Sequence, residues 1–138
     1  MVYRQLTNED VATFPDFDGI SDKWDTAAEY VTAYPNVLLG VHRDHTFAII
    51  LVPEGPEKTT ENVHLYYAHP ATDPDLRARN TDQWKLVFEE DIFVVEGMQR
   101  GRHGVQFDGG RFSPAMDGPT HMFHDWVASQ LEAARNAP

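Results

Sequence analysis

Two runs of β-forming residues lie only two positions apart: Asn36–His42 (NVLLGVH) and His45–Val52 (HTFAIILV), with Arg43-Asp44 between them. Extended segments joined this closely read as an antiparallel hairpin, because a parallel crossover needs a dozen or more residues. Arg-Asp is not the favoured Asn-Gly kind of turn. Pro53-Glu54-Gly55-Pro56 reads as a break after the second strand. Asn62–Ala68 (NVHLYYA) supplies a third strand, ended by His69-Pro70. Residues 36–68 are therefore expected to form a three-stranded antiparallel meander.

Helical signals flank the meander. Thr7-Asn8-Glu9-Asp10 suits the start of a helical turn, closed at Phe14-Pro15-Asp16 because the residue before proline resists α geometry. Ser21 and Trp24–Tyr30 suggest a short helix ending before Tyr34-Pro35. Thr72-Asp73-Pro74 joins a capping residue to a proline in the first turn, and the helix it opens can run to about Gly101, interrupted only by Gly97. Residues 104–118 are a Gly/Pro-rich loop, and a last helix runs from near Pro119 to about Ala134. With no repeat and no linker, the expectation is a single α+β domain over 1–138: a three-stranded antiparallel sheet packed on a long helix, with the C-terminal helix beside it. Three strands under one helix leave two edges and one face open. The chain is thus expected to associate, with further protein that completes the sheet or with a second copy of itself.

Composition removes several function classes. A formal net charge of −11 argues against nucleic acid or an anionic membrane as partner. The absence of cysteine excludes disulfides, thiolate zinc sites, a cysteine nucleophile and cysteine-bound iron–sulfur clusters within these residues. No apolar run approaches the roughly 20 residues of a membrane helix, and MVYRQLTNED lacks a signal-peptide core. A cytoplasmic protein is the expectation.

The long helix carries an unusual stripe. At about 100° per residue, Trp84, Val87, Phe88, Val94, Val95 and Met98 all fall within about 60° of Asp91. A carboxylate in the middle of an apolar face needs compensation once buried: an arginine such as Arg100 or Arg102, hydrogen-bond donors, or a metal ion. Glu89 and Glu96 project to the other side, whereas Gln99, at the stripe's edge, is placed to orient Asp91. Trp84, Phe88, Val95 and Tyr66 are candidates for the wall of a substrate pocket, with only one of Tyr66 and Tyr67 able to face inward. The pairs His42/His45 and His121/His124 are assigned to capping and packing, and His64 and His69 to no role.

The run EEDIFVVEGMQRGRHG (Glu89–Gly104) resembles the last iron-binding segment of Rieske non-haem iron oxygenase α subunits, in which Asp is followed at five and eight residues by Glu and Gln. YPNVLLGVHRDHTFAIILVPEGPEKT (Tyr34–Thr59) is similar to the family's strand pair before that helix, and FDGGRFSPAMDGPTHMFHDWV (Phe107–Val127) to the loop and final helix after it. Within the family, GMQRGRHG, FDGGRFSP and FHDWV look closest to the quaternary-ammonium branch, the glycine-betaine and stachydrine demethylase kind. The resemblance implies a partial helix-grip (SRPBCC/START-like) fold and a mononuclear Fe(II) centre of two histidines and one carboxylate, with Asp91 as the carboxylate. No residue of this chain is assigned a direct catalytic role. The iron histidines and the Rieske [2Fe–2S] cluster have no counterpart in these residues, so the resemblance implies that they lie in a missing N-terminal half or a companion oxygenase subunit. A reductase would supply electrons to hydroxylate or N-demethylate a small substrate. The alternative is a non-catalytic helix-grip module that binds a ligand or serves assembly, with Asp91 held in a salt bridge.

Overall fold

In β3 (His45–Gly55) the side chains alternate between two environments: His45, Phe47 and Ile49 are buried, while Thr46 and Ala48 are half-buried and Ile50 is exposed. The computed structural model describes residues 14–137. Within it β3 lies at the centre of a four-stranded antiparallel sheet of order β1-β2-β3-β4. Its neighbours are β2 (Val37–Val41) and β4 (Lys58–Tyr67), and β1 (Glu29–Ala33) pairs with β2. Register puts Gly40, Phe47 and Leu65 in one row and His45 beside Tyr67, so these side chains share one face.

The fold class is α+β, with two differences in the strands. Where a short helix was expected over Trp24–Tyr30, only a 3-10 turn at Asp22–Asp25 forms, and β1 follows. Tyr30, Val31 and Thr32 are aromatic and β-branched, and a ladder from Glu29↔Val41 to Ala33↔Val37 satisfies their backbone, which outweighs the helix preference of the two alanines before them. The sheet therefore has four strands, not three. The expected break at Pro53 is also absent. β3 runs through it to Gly55, and the ladder with β4 shifts register between Pro53 and Gly55. A bulge leaves one backbone N–H unpaired, which is where a strand tolerates proline. Glu54 receives Lys58 and Thr60 across this hairpin. The helical turn suggested at Thr7–Asp10 lies outside the described residues.

Helix α1 spans Pro74–Arg102 and starts where Thr72-Asp73-Pro74 indicated. Asp73 Oδ1 accepts the Asp75 backbone N–H at 2.9 Å, occupying one of the free donors of the first turn. Helix α2 spans Gly118–Arg135 with a proline in its first turn. Contacts divide the chain into two compact units, Met1–Gly97 and Met98–Pro138. The first holds the sheet and most of α1. The second holds α2, where Phe112 lies edge-on to His121 and His124, at 5.0 and 5.1 Å between centroids, and Phe123 stacks on Trp126. Among the described residues no helix is long and apolar enough to cross a membrane.

Candidate functional site

The first half of α1 lies on the sheet face that carries His45, Phe47 and Tyr67. Phe47 is wedged edge-on against Trp84 at 4.7 Å and Phe88 at 5.4 Å, while Trp84 and Phe88 stack on each other, 5.4 Å apart and 19° from parallel. Gly40 belongs to this wedge, because a methyl group there would run into the Phe47 ring. The Tyr67 hydroxyl sits 3.3 Å from both the Asn80 side-chain oxygen and the Arg77 carbonyl.

A polar chain crosses the same apolar seam. His45 is 1% exposed. The Trp84 indole N–H donates to His45 Nε2 at 2.9 Å, and His45 Nδ1 lies 2.6 Å from Asp44 Oδ1. An indole nitrogen can only donate, so Nε2 must be the acceptor and the ring proton sits on Nδ1, facing the carboxylate. His42 stacks on His45 at 4.5 Å, 6° from parallel, and its buried Nε2 has no hydrogen-bond partner among the described residues. Burial, aided by His45 and opposed by Asp44, lowers the His42 pKa to about 4. The packing assigned to this pair from sequence is present, but the bond from His45 to α1 went unnoticed. The signal was available: in HTFAIILV, His45 shares the phase of Phe47 and Ile49.

Asp91 follows Trp84 by seven residues, two helical turns along the same stripe. The stripe's cover ends before it. Trp84, Val87 and Phe88 are half-buried, whereas Asp91 is exposed and Val94, Val95 and Met98 are 50%, 58% and 58% exposed. The burial expected of Asp91 is therefore not met among the described residues. No ion pair joins Asp91 to an arginine among the described residues.

The pocket candidates separate. Trp84 and Phe88 lie at the covered end of the stripe and Val95 at the open end. Tyr66 is displaced: it pairs with Thr46 on the sheet face turned away from α1 and is 55% exposed, so Tyr67 takes the inward place. Gln99, in the second unit, is half-buried. An apolar concavity of about 350 Å³ between Phe17, Ile20, Trp24 and the β2–β3 turn is lined by none of the four candidates.

Among the described residues no three His, Asp or Glu side chains come together to hold a metal ion. An open Fe(II) site of the facial-triad kind needs three protein ligands. With no cysteine, the chain does not fit a Rieske cluster.

The family model described as ring hydroxylating alpha subunit (catalytic domain) matches residues 3–133. The chain belongs to that family. Its members are Rieske-type oxygenases. Curated relatives include the chloroplastic choline monooxygenases of Arabidopsis thaliana, 28% identical over 105 residues (75% of this chain and 24% of that protein), and of Atriplex hortensis, 27% identical over 108 residues (78% and 25%). This ring-hydroxylating α-subunit chain thus spans about a quarter of the length of the relatives it matches. No solved structure matches it.

Proposed function

We propose that this chain is the C-terminal portion of an oxygenase catalytic domain, that Asp91 is the carboxylate ligand of its mononuclear iron, and that Trp84, Phe88 and Val95 wall the adjoining substrate pocket. The observation that carries this reading is a carboxylate set on an apolar helix face that this chain leaves open, inside a segment matched by the family over residues 3–133. The exposed Asp91 lies on the same helix face as Val94, Val95 and Met98, which are exposed as well. It becomes useful once further protein closes over the face and brings two histidines to it.

Iron held there would supply oxygen activation, with electrons from a reductase arriving through a Rieske cluster carried elsewhere in the complete protein. The residues of this chain would do the rest of the local work. The Asp91 carboxylate balances metal charge, and the aromatic surface of Trp84 and Phe88 excludes water and sets the shape of the pocket. Similarity to choline monooxygenases points to a small quaternary ammonium or N-methyl compound as substrate. Aromatic faces attract such cations, by about 0.5–2 kcal/mol each. The partners are the remainder of the catalytic domain or a companion subunit, a reductase and further copies of the assembly.

The test is substrate-induced perturbation of iron in the complete oxygenase carrying Phe88→Ala. Weaker binding of a quaternary ammonium, with iron retained, is the expected result. Unchanged affinity would remove the Phe88 ring from the pocket.

A further inference from the structure

The hydrogen-bonded chain Asp44–His45–Trp84 ties the sheet to α1 seven residues before Asp91. Upstream, the long Tyr67 contacts to Asn80 and Arg77 also link sheet and helix. Downstream, Phe88 still touches Phe47, and beyond it the stripe is exposed. The edge-on contacts of Phe47 with Trp84 and Phe88 set the spacing between sheet and helix. A buried hydrogen bond at 2.9 Å between two rings, one of them pinned by a carboxylate at 2.6 Å, is directional.

We infer that Asp44, His45 and Trp84 are positioning residues that set the rotation and tilt of α1 on the sheet, and through them the place of the Asp91 carboxylate. The consequence for iron rests on the proposed role of Asp91, whereas the geometric half does not. Seven residues of helix put Asp91 about 10 Å beyond Trp84, so a tilt of about 10° at the tryptophan moves Asp91 by about 2 Å. Metal–ligand distances tolerate about 0.2 Å. His45 acts at both ends of its ring: Nδ1–H donates to Asp44, which fixes the tautomer, and Nε2 is thereby left as the acceptor for the indole.

The absence of cysteine makes the test direct. In the full chain, Asp91→Cys and Asn62→Cys carry a pair of nitroxide labels, and the distance distribution between them is read by pulsed electron paramagnetic resonance. The otherwise native chain is expected to give one narrow distribution. Adding Trp84→Phe, which keeps a stacking ring but removes the N–H, is expected to broaden it or shift it by about 2 Å with helical circular dichroism unchanged. His45→Leu is expected to do the same, while His45→Gln, which keeps an acceptor towards the indole, restores much of the native distribution. Distributions that stay native in both Trp84→Phe and His45→Leu would overturn the inference. So would His45→Gln behaving like His45→Leu, since a merely space-filling histidine predicts that. Should Trp84→Phe lose its helix, the His45 pair alone decides. Because no iron is present, failure here is separable from failure of the Asp91 assignment, which iron content of the complete oxygenase measures.

Discussion

At the scale of single residues, close packing around Phe47 and the state of two imidazoles govern the first unit. Gly40 lets the Phe47 ring lie on the β2 backbone, and Phe47 cannot yield because Trp84 and Phe88 hold its other sides. Gly40→Ala is therefore expected to destabilise the chain by about 1–3 kcal/mol in urea unfolding, the usual cost of overpacking. His42 gives a dependence on pH. Its pKa falls from 6.5 to about 4 on folding, so between those values the unfolded chain binds the extra proton. Stability contributed by the neutral ring is complete above about 6.5 and is lost as the pH falls towards 4. Discounted for the ring's partial exposure, the loss is on the order of 1–2 kcal/mol. His42→Phe, measured by denaturant unfolding at pH 7 and pH 4.5, should flatten that dependence. An equal slope in both proteins would mean that other groups cause it.

At the scale of elements, the fastening of the segment before β1 depends on one side chain. The Arg43 guanidinium in the β2–β3 turn receives Asp16, at 2.7 Å from Nε, and also Asp25, and the Arg43 carbonyl accepts the Phe17 N–H at 2.9 Å. Arg43→Ala should speed hydrogen exchange across residues 16–25 while leaving exchange in β3 and β4 as it was; unchanged exchange at Phe17 would show that the apolar contacts of Trp24 and Ile20 suffice. Elements were legible in proportion to how local their causes are. The start of α1 is written in Thr72-Asp73-Pro74, and the hairpin in the short Arg43-Asp44 spacer. β1 was not legible, because Trp24–Tyr30 has a plausible helix pattern and only the partner strand makes Tyr30–Thr32 extended. The continuation of β3 through Pro53 was hidden for the same reason: a bulge is a property of two strands together. The site divides similarly. Periodicity alone put Trp84, Phe88 and Asp91 on one stripe, but the burial of Asp91 depends on what covers the stripe, and periodicity is silent on that.

At the scale of the molecule, β3 is apolar on both faces, with Phe47 and Ile49 on one side and Ile50 and Val52 on the other, and α1 covers only the first. Strands of this kind belong in sheets covered on both sides, and among the described residues no further strand pairs with either outer strand of this sheet. Studied alone, the chain should associate with rising concentration in sedimentation velocity, and Ile50→Lys together with Val63→Lys should suppress this; a concentration-independent monomer would contradict it. Asp91 is likewise exposed. An exposed carboxylate that contributes nothing to folding has a clear signature on removal. The decisive measurement is iron content, by inductively coupled plasma mass spectrometry, of the complete oxygenase with and without Asp91→Ala, alongside unfolding of this chain with the same substitution. The account predicts that the chain's stability stays within about 0.5 kcal/mol while the complete protein loses its mononuclear iron and keeps its cluster iron. Full mononuclear iron in the Asp91→Ala protein would contradict it.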